Sequence, residues 1–214
     1  MRTSLAETAR AALTAAHGPD ADGRATVPAP RLDDTTTTVV ADTCVRGDLG
    51  FVLLLHRRKD GLVAEELFFS NRESTGVWGA AEHLSGSGGI PDLTSPEEVA
   101  AVLRGWSMTV LGDSETGLHT GRPQADDGYE LLRFHVLLVD ESIGRLDIED
   151  TTAGASAVPH RVVKPLTSQV ALVALFPEER VTVRTGTDAG TGVRSMGEMF
   201  ELAGSEAVFR ALWA

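Results

Sequence analysis

Residues 51–69 read FVLLLHRRKDGLVAEELFF. Two largely apolar runs, 51–56 and 62–69, flank Arg57-Arg58-Lys59-Asp60-Gly61, and Asp-Gly is a turn signal, so the stretch predicts a β-hairpin. The segment from Tyr129 to about Thr187 extends that reading. There Leu132, Phe134, Val136 and Leu138 alternate with Arg133, His135, Leu137 and Val139, which is the period of a strand. Further strands are expected at 146–149, 161–166, 170–176 and 180–185, the last two joined by Pro177-Glu178-Glu179. Closely spaced strands with no helices between them call for antiparallel sheet rather than βαβ units.

Helices are expected at the margins. Ser4 and Glu7 have capping-box spacing, followed by an apolar stripe of Leu5, Ala9, Ala12, Leu13 and Ala16 and a Gly18-Pro19 stop. Ser95-Pro96-Glu97-Glu98 opens a short central helix with Val99, Val102, Leu103 and Trp106 on its buried face. Ser195 and Glu198 form a third box, with Met196, Met199 and Phe200 inward and Gly204 as the stop. A last helix then starts at Ser205, with Val208, Phe209 and Leu212 on one side. Residues 18–36 lack periodicity and read as a linker or extended arm, while 71–94 and 112–128 read as long loops. The expected class is α+β. An antiparallel β-sheet core, sandwich-like or strongly twisted, carries an N-terminal helix (1–17) and the 18–36 arm. A single domain over 37–214 holds one short central helix and two short C-terminal helices.

The 214 residues are 42% hydrophobic, enough to bury a core, and carry a formal net charge of −12. The acidic excess runs through both halves and repels phosphate backbones and anionic lipid, so neither a nucleic acid nor a membrane is the expected partner. Cys44 is the single cysteine, which excludes an intrachain disulfide, a Cys-rich zinc site and a Cys-x-x-Cys redox pair. Glu7 and Arg10 interrupt what a signal peptide keeps apolar, and the longest purely apolar run, 170–176, is too short to span a bilayer. A soluble, cytoplasmic protein is expected.

The chemical signatures are mostly near misses. In the loop 76–89, GVWGAAEHLSGSGG, Glu82-His83 resembles an acid–base pair and the Gly/Ser turn an anion cradle. Adjacent residues point to different faces, however, and neither Ser85 nor Ser87 has the Gly-x-Ser-x-Gly of a nucleophile elbow. The six histidines stand at least 16 residues apart, which excludes local chelation by two of them, and no metal or other cofactor is expected. Asp20-x-Asp22-Gly23 lacks the bidentate Glu of a calcium loop, having Arg31 in its place. Neither Lys59 nor Lys164 sits in a P-loop. Gly190-x-Gly192-x-x-Ser195 has too little chain after it for a dinucleotide fold. Asp147 and Glu149 share one face of a strand that reads as a solvated sheet edge.

The leading functional expectation is a soluble, non-enzymatic protein-interaction or accessory module with a protein partner. Met196, Met199, Phe200, Phe209 and Trp213 are the candidate partner-facing surface. The first alternative is a hydrolase-type enzyme with a site assembled from the 71–94 and 112–128 loops, its catalytic residues being Glu82, His83 and His119. The second is an anion-binding sensor at the 186–197 loop, with Arg184, Arg194 and Ser195 as ligands.

Overall fold

The computed structural model describes residues 4–16, 32, 36–154, 160–186 and 198–205. The chain divides into two units, residues 1–104 with 167–172 and residues 105–166 with 173–214. Among the described residues there are eleven strands and two helices. The fold is therefore mostly β, dominated by antiparallel sheet, and the expectation of an α+β chain with several helices is corrected accordingly.

In the first unit, helix α1 (Leu5–Ala16) begins at the expected cap. Ser4 N–H donates to Glu7 Oε2 at 2.8 Å and Glu7 N–H donates to Ser4 Oγ at 3.2 Å. Strands β1 (Thr38–Arg46), β2 (Leu49–Arg57), β3 (Val63–Asn71) and β4 (Glu82–Ile90) form one antiparallel sheet in that order. The β2–β3 hairpin closes where Asp60-Gly61 places it. Arg58 N–H donates to Leu62 O at 2.8 Å, and Gly61 adopts φ +84°, a conformation that costs other residues about 1–2 kcal/mol. Helix α1 lays Ala9 and Leu13 on Val52, Leu54, Phe68 and Trp78. Gly50 permits this approach, because a Cβ there would stand 2.7 Å from Leu13 Cδ2 and 2.8 Å from Trp78 Cζ3. Burying Leu13 completely contributes about 2 kcal/mol.

Strand β1 was not legible as a strand. Its ladder with β2 shifts register between Val40 and Asp42, a bulge that turns the Asp42 carboxylate toward backbone donors. Asp42 Oδ2 accepts from Leu172 N–H at 2.6 Å and Ser168 Oγ donates to Ala41 O at 2.8 Å, so residues 167–172 fasten this side of the sheet. Helix α2 (Pro96–Leu103) has the expected cap, Ser95 Oγ accepting from Glu98 N–H at 3.3 Å, and buries Val99 and Leu103. Trp106 lies beyond the helix and is exposed rather than buried.

The expected loop 71–94 is corrected by β4. A Gly- and Ser-rich strand has no apolar alternation to announce it, and it forms because β3 offers a complete ladder to an edge.

The second unit contains β5 (Met108–His119), β6 (Tyr129–Val139), β7 (Arg145–Asp150), β8 (Arg161–Pro165), β10 (Arg180–Gly186) and β11 (Met199–Ala203). Strand β9 (Val170–Leu175) begins in the first unit and ends in this one. The sheet orders are β5-β6-β9 and β11-β10-β7-β8. Strand β5 runs to His119, so residues 112–119 of the expected 112–128 loop are hairpin ladder with β6. The third helix cap is also corrected. Residues 199–203 pair along β10 as a strand, and the Glu198 carboxylate accepts from Ser107 N–H at 2.7 Å, Ser107 Oγ at 3.0 Å and Met108 N–H at 3.2 Å. The expected helix after Ser205 lies outside the described residues, as do almost all of the 18–36 arm, Arg194 and Ser195. Strand β7 is interior, between β10 and β8, so Asp147 and Glu149 do not mark a sheet edge. They still line a polar face, where Arg161 Nη2 stands 2.7 Å from Asp147 Oδ2 and Arg184 Nη1 3.2 Å from Glu149 Oε2.

Candidate functional site

The β2–β3–β4 register gathers the chemistry of the first unit on one face. Leu54 opposes Glu66, Glu66 opposes Gly86, and Phe68 opposes His83. Alternation along β3 puts Glu66 on the same side as Phe68, which belongs to the core under α1. The apolar part of the face thus passes directly into a polar part. There the Glu66 carboxylate meets two imidazoles: His83 Nε2 stands 2.5 Å from Oε2, and His56 Nδ1 stands 3.9 Å from Oε1. The first distance is a hydrogen bond and the second is not. The His83 ring is also held edge-on to Phe68, with centroids 5.3 Å apart. Glu66 and His56 are largely covered, whereas the His83 side chain is 51% exposed.

Glycine shapes this part of the sheet. A Cβ on Gly86 would lie 2.3 Å from Glu66 Oε2, so the carboxylate occupies the space that a side chain of β4 would fill. Two residues along, a Cβ on Gly88 would lie 2.9 Å from Arg58 Nη1. Residues Ser85 to Gly88 pair in regular register with Leu67 to Ala64, between shifts that skip Leu84 and Gly89. Gly89, at φ +84°, takes the left-handed conformation usual at a bulge.

On the opposite face Ser87 Oγ donates to Glu65 Oε1 at 2.9 Å. Burial pushes the Glu65 carboxyl above its usual range, the Ser87 bond opposes this, and the nearby Glu66 charge adds to it.

Among the described residues, strand β4 ends its sheet and has β3 as its only strand neighbour. Alternate N–H and C=O groups of an edge strand point away from the sheet. Most of β4 is exposed, and its regular window holds Ser, Gly, Ser and Gly with no charge and no proline. Three of the other edges differ. Strand β1 is fastened by residues 167–172, β5 carries Asp113 and Glu115, and five-residue β8 carries Arg161 and Lys164 and ends in Pro165. Charge, brevity, proline and bulges are the usual protections of an edge; the β4 window is short and lies between two bulges, but its own residues carry neither charge nor proline.

The sequence-derived candidates are distributed as follows. Glu82 is the neighbour of His83 but opposes Phe69 while His83 opposes Phe68, so the two point to opposite faces. The carboxylate that meets His83 is Glu66, 17 residues away in sequence. His119 belongs to the second unit, packed edge-on to Tyr129 with centroids 5.0 Å apart and seated over Gly128. Arg184 is engaged by Glu149 and by Met199 Sδ at 3.6 Å. Of the apolar partner-facing candidates, Met199 is exposed and Phe200 is half-buried, and the other three lie outside the described residues.

No group of three or more potential ligands that could hold a metal ion occurs among the described residues. Nor, among them, is any helix long and apolar enough to cross a membrane. The chain matches no family model, and neither curated proteins nor solved structures give a match.

Proposed function

We propose that this chain is a soluble, non-enzymatic protein-interaction module that takes up an extended segment of a partner protein along β4. The observation that carries the reading is the exposed edge at Ser85 to Gly88, regular in register and free of charge and proline. Strand addition to such an edge draws affinity from main-chain hydrogen bonds and specificity from side chains at alternate positions. The test is a titration of the 15N-labelled protein with an extended nonapeptide, TVTVKVTVT, at about millimolar concentration, the range for weak binding. Amide shifts concentrated on β4 are the expected result. Binding that leaves β4 unchanged, or no binding, contradicts the reading.

One observation favours a second reading. With Nε2 of His83 engaged by Glu66, the other ring nitrogen of a half-exposed imidazole is left to accept a proton. Under a hydrolytic reading His83 is the general base, and Glu66, rather than Glu82, is the carboxylate that orients it. Hydrolysis of an activated ester that is lost in His83→Gln tests it, and equal rates for the two proteins discard it.

A further inference from the structure

The Gly86 gap bears on the kind of segment β4 would accept. Glu66 reaches across β4 from the adjacent strand, and its carboxylate fills the space above Gly86. A residue opposite Gly86 on an added strand would place its Cβ about 5 Å from the Gly86 position, within reach of that carboxylate for a long side chain. Oε2 is taken by His83, while Oε1 has His56 at 3.9 Å, beyond hydrogen-bonding distance, and so retains acceptor capacity. The cation at the next same-face position, Arg58 beside Gly88, has its own counter-charge in Asp60 at 3.2 Å. The chain as a whole carries a net charge of −12, which repels a second copy and attracts a basic segment.

We infer that the segment paired with β4 is basic, with a Lys or Arg facing Gly86 and its cationic head on Glu66. This rests on the edge-pairing reading of β4 and adds the chemistry of the partner. The geometry makes Gly86 a specificity position: any side chain there would displace Glu66. The charge supplies selection between partners, and the backbone ladder supplies attachment.

The experiment compares three probes, TVTVKVTVT, TVTVTVTVT and TVTVEVTVT, by amide shifts on β4 at low and high salt. For the wild-type protein the Lys peptide is expected to bind about five- to tenfold more tightly than the Glu peptide, with the Thr peptide between them, as for a partly exposed ion pair. The preference is expected to shrink in high salt and to vanish in Glu66→Gln, whose fold is checked by the spectrum outside β4. The peptide comparison needs no substitution in the protein, so a poorly folded variant leaves the proposal testable. Equal binding of all three to β4 overturns the basic partner and leaves edge pairing intact. No shift on β4 with any peptide overturns both. A concentration-dependent dimer that protects β4 without peptide assigns the edge to a second copy and overturns the basic partner.

Discussion

Replacing Leu13 with alanine tests how α1 is held on the first unit's sheet. Leu13 is fully buried, and Gly50 beneath it has no side chain with which to close a void. Leu→Ala changes at such sites cost about 2–5 kcal/mol, and a wall formed by a glycine backbone and the Trp78 ring places this one at about 3 kcal/mol. The reverse change, Gly50→Ala, puts a methyl 2.7 Å from Leu13 Cδ2 and 2.8 Å from both Leu13 Cδ1 and Trp78 Cζ3. That is roughly 1 Å inside ordinary carbon contact and is expected to cost about 1–2 kcal/mol. In the double variant the new methyl enters the space that Leu13 vacated. The combined loss should therefore fall short of the sum by about 1 kcal/mol. Urea unfolding followed by far-UV circular dichroism and tryptophan fluorescence measures all three variants. A loss below about 1 kcal/mol for Leu13→Ala, or strict additivity in the double variant, would refute the docking of α1 over Gly50.

Three other outcomes are expected. Glu65 is raised chiefly by burial, so its contribution to stability is full below the ordinary carboxyl value of 4.5 and is lost as pH rises through the raised value. Glu65→Gln, which can still accept from Ser87, should be more stable than the parent at neutral pH and lose that advantage at pH 4; a constant difference across that range argues against burial as the cause. His135 is lowered chiefly by burial, with Arg133 adding to the effect and the bond to Ala203 O opposing it. The unfolded chain binds the proton more readily, so stability should fall as pH drops from about 6.5 toward the lowered value, and His135→Gln should remove that slope in thermal melts. Removing the Glu198 carboxylate leaves the Ser107 and Met108 N–H groups without their acceptor and the Ser107 hydroxyl with Thr185 Oγ1 at 3.4 Å. Glu198→Ala should cost about 2 kcal/mol by urea unfolding, with Glu198→Gln recovering part of it.

Elements with a local cause were legible in the sequence. The Ser4–Glu7 box and the Ser95-Pro96 start each specify a helix within one turn of chain, and Asp60-Gly61 specifies a hairpin. Alternating or continuous apolar runs likewise exposed β6 and β9. Elements with a distant cause were hidden. Strand β4 exists because β3 lies beside it, and its Gly86 and Gly88 serve Glu66 and Arg58 rather than any local turn. Met199 and Phe200 fit a helical stripe equally well until the edge of β10 decides between the two periods. The same logic governs the candidate site. His83 was visible, but its carboxylate was sought next door at Glu82, because Glu66 becomes a neighbour only through the register of three strands. Once the 51–69 hairpin is accepted, however, the alternation of β3 already sets Glu66 apart from Glu65 by face.

Amide hydrogen exchange along β4, read residue by residue with and without the Lys peptide, tests the open edge most directly. In the free protein, β4 amides bonded to β3 should exchange slowly and their alternate neighbours quickly. Adding the peptide should slow those neighbours within Ser85 to Gly88. Outward amides already protected in the free protein, or unchanged by a peptide that binds, would contradict the account.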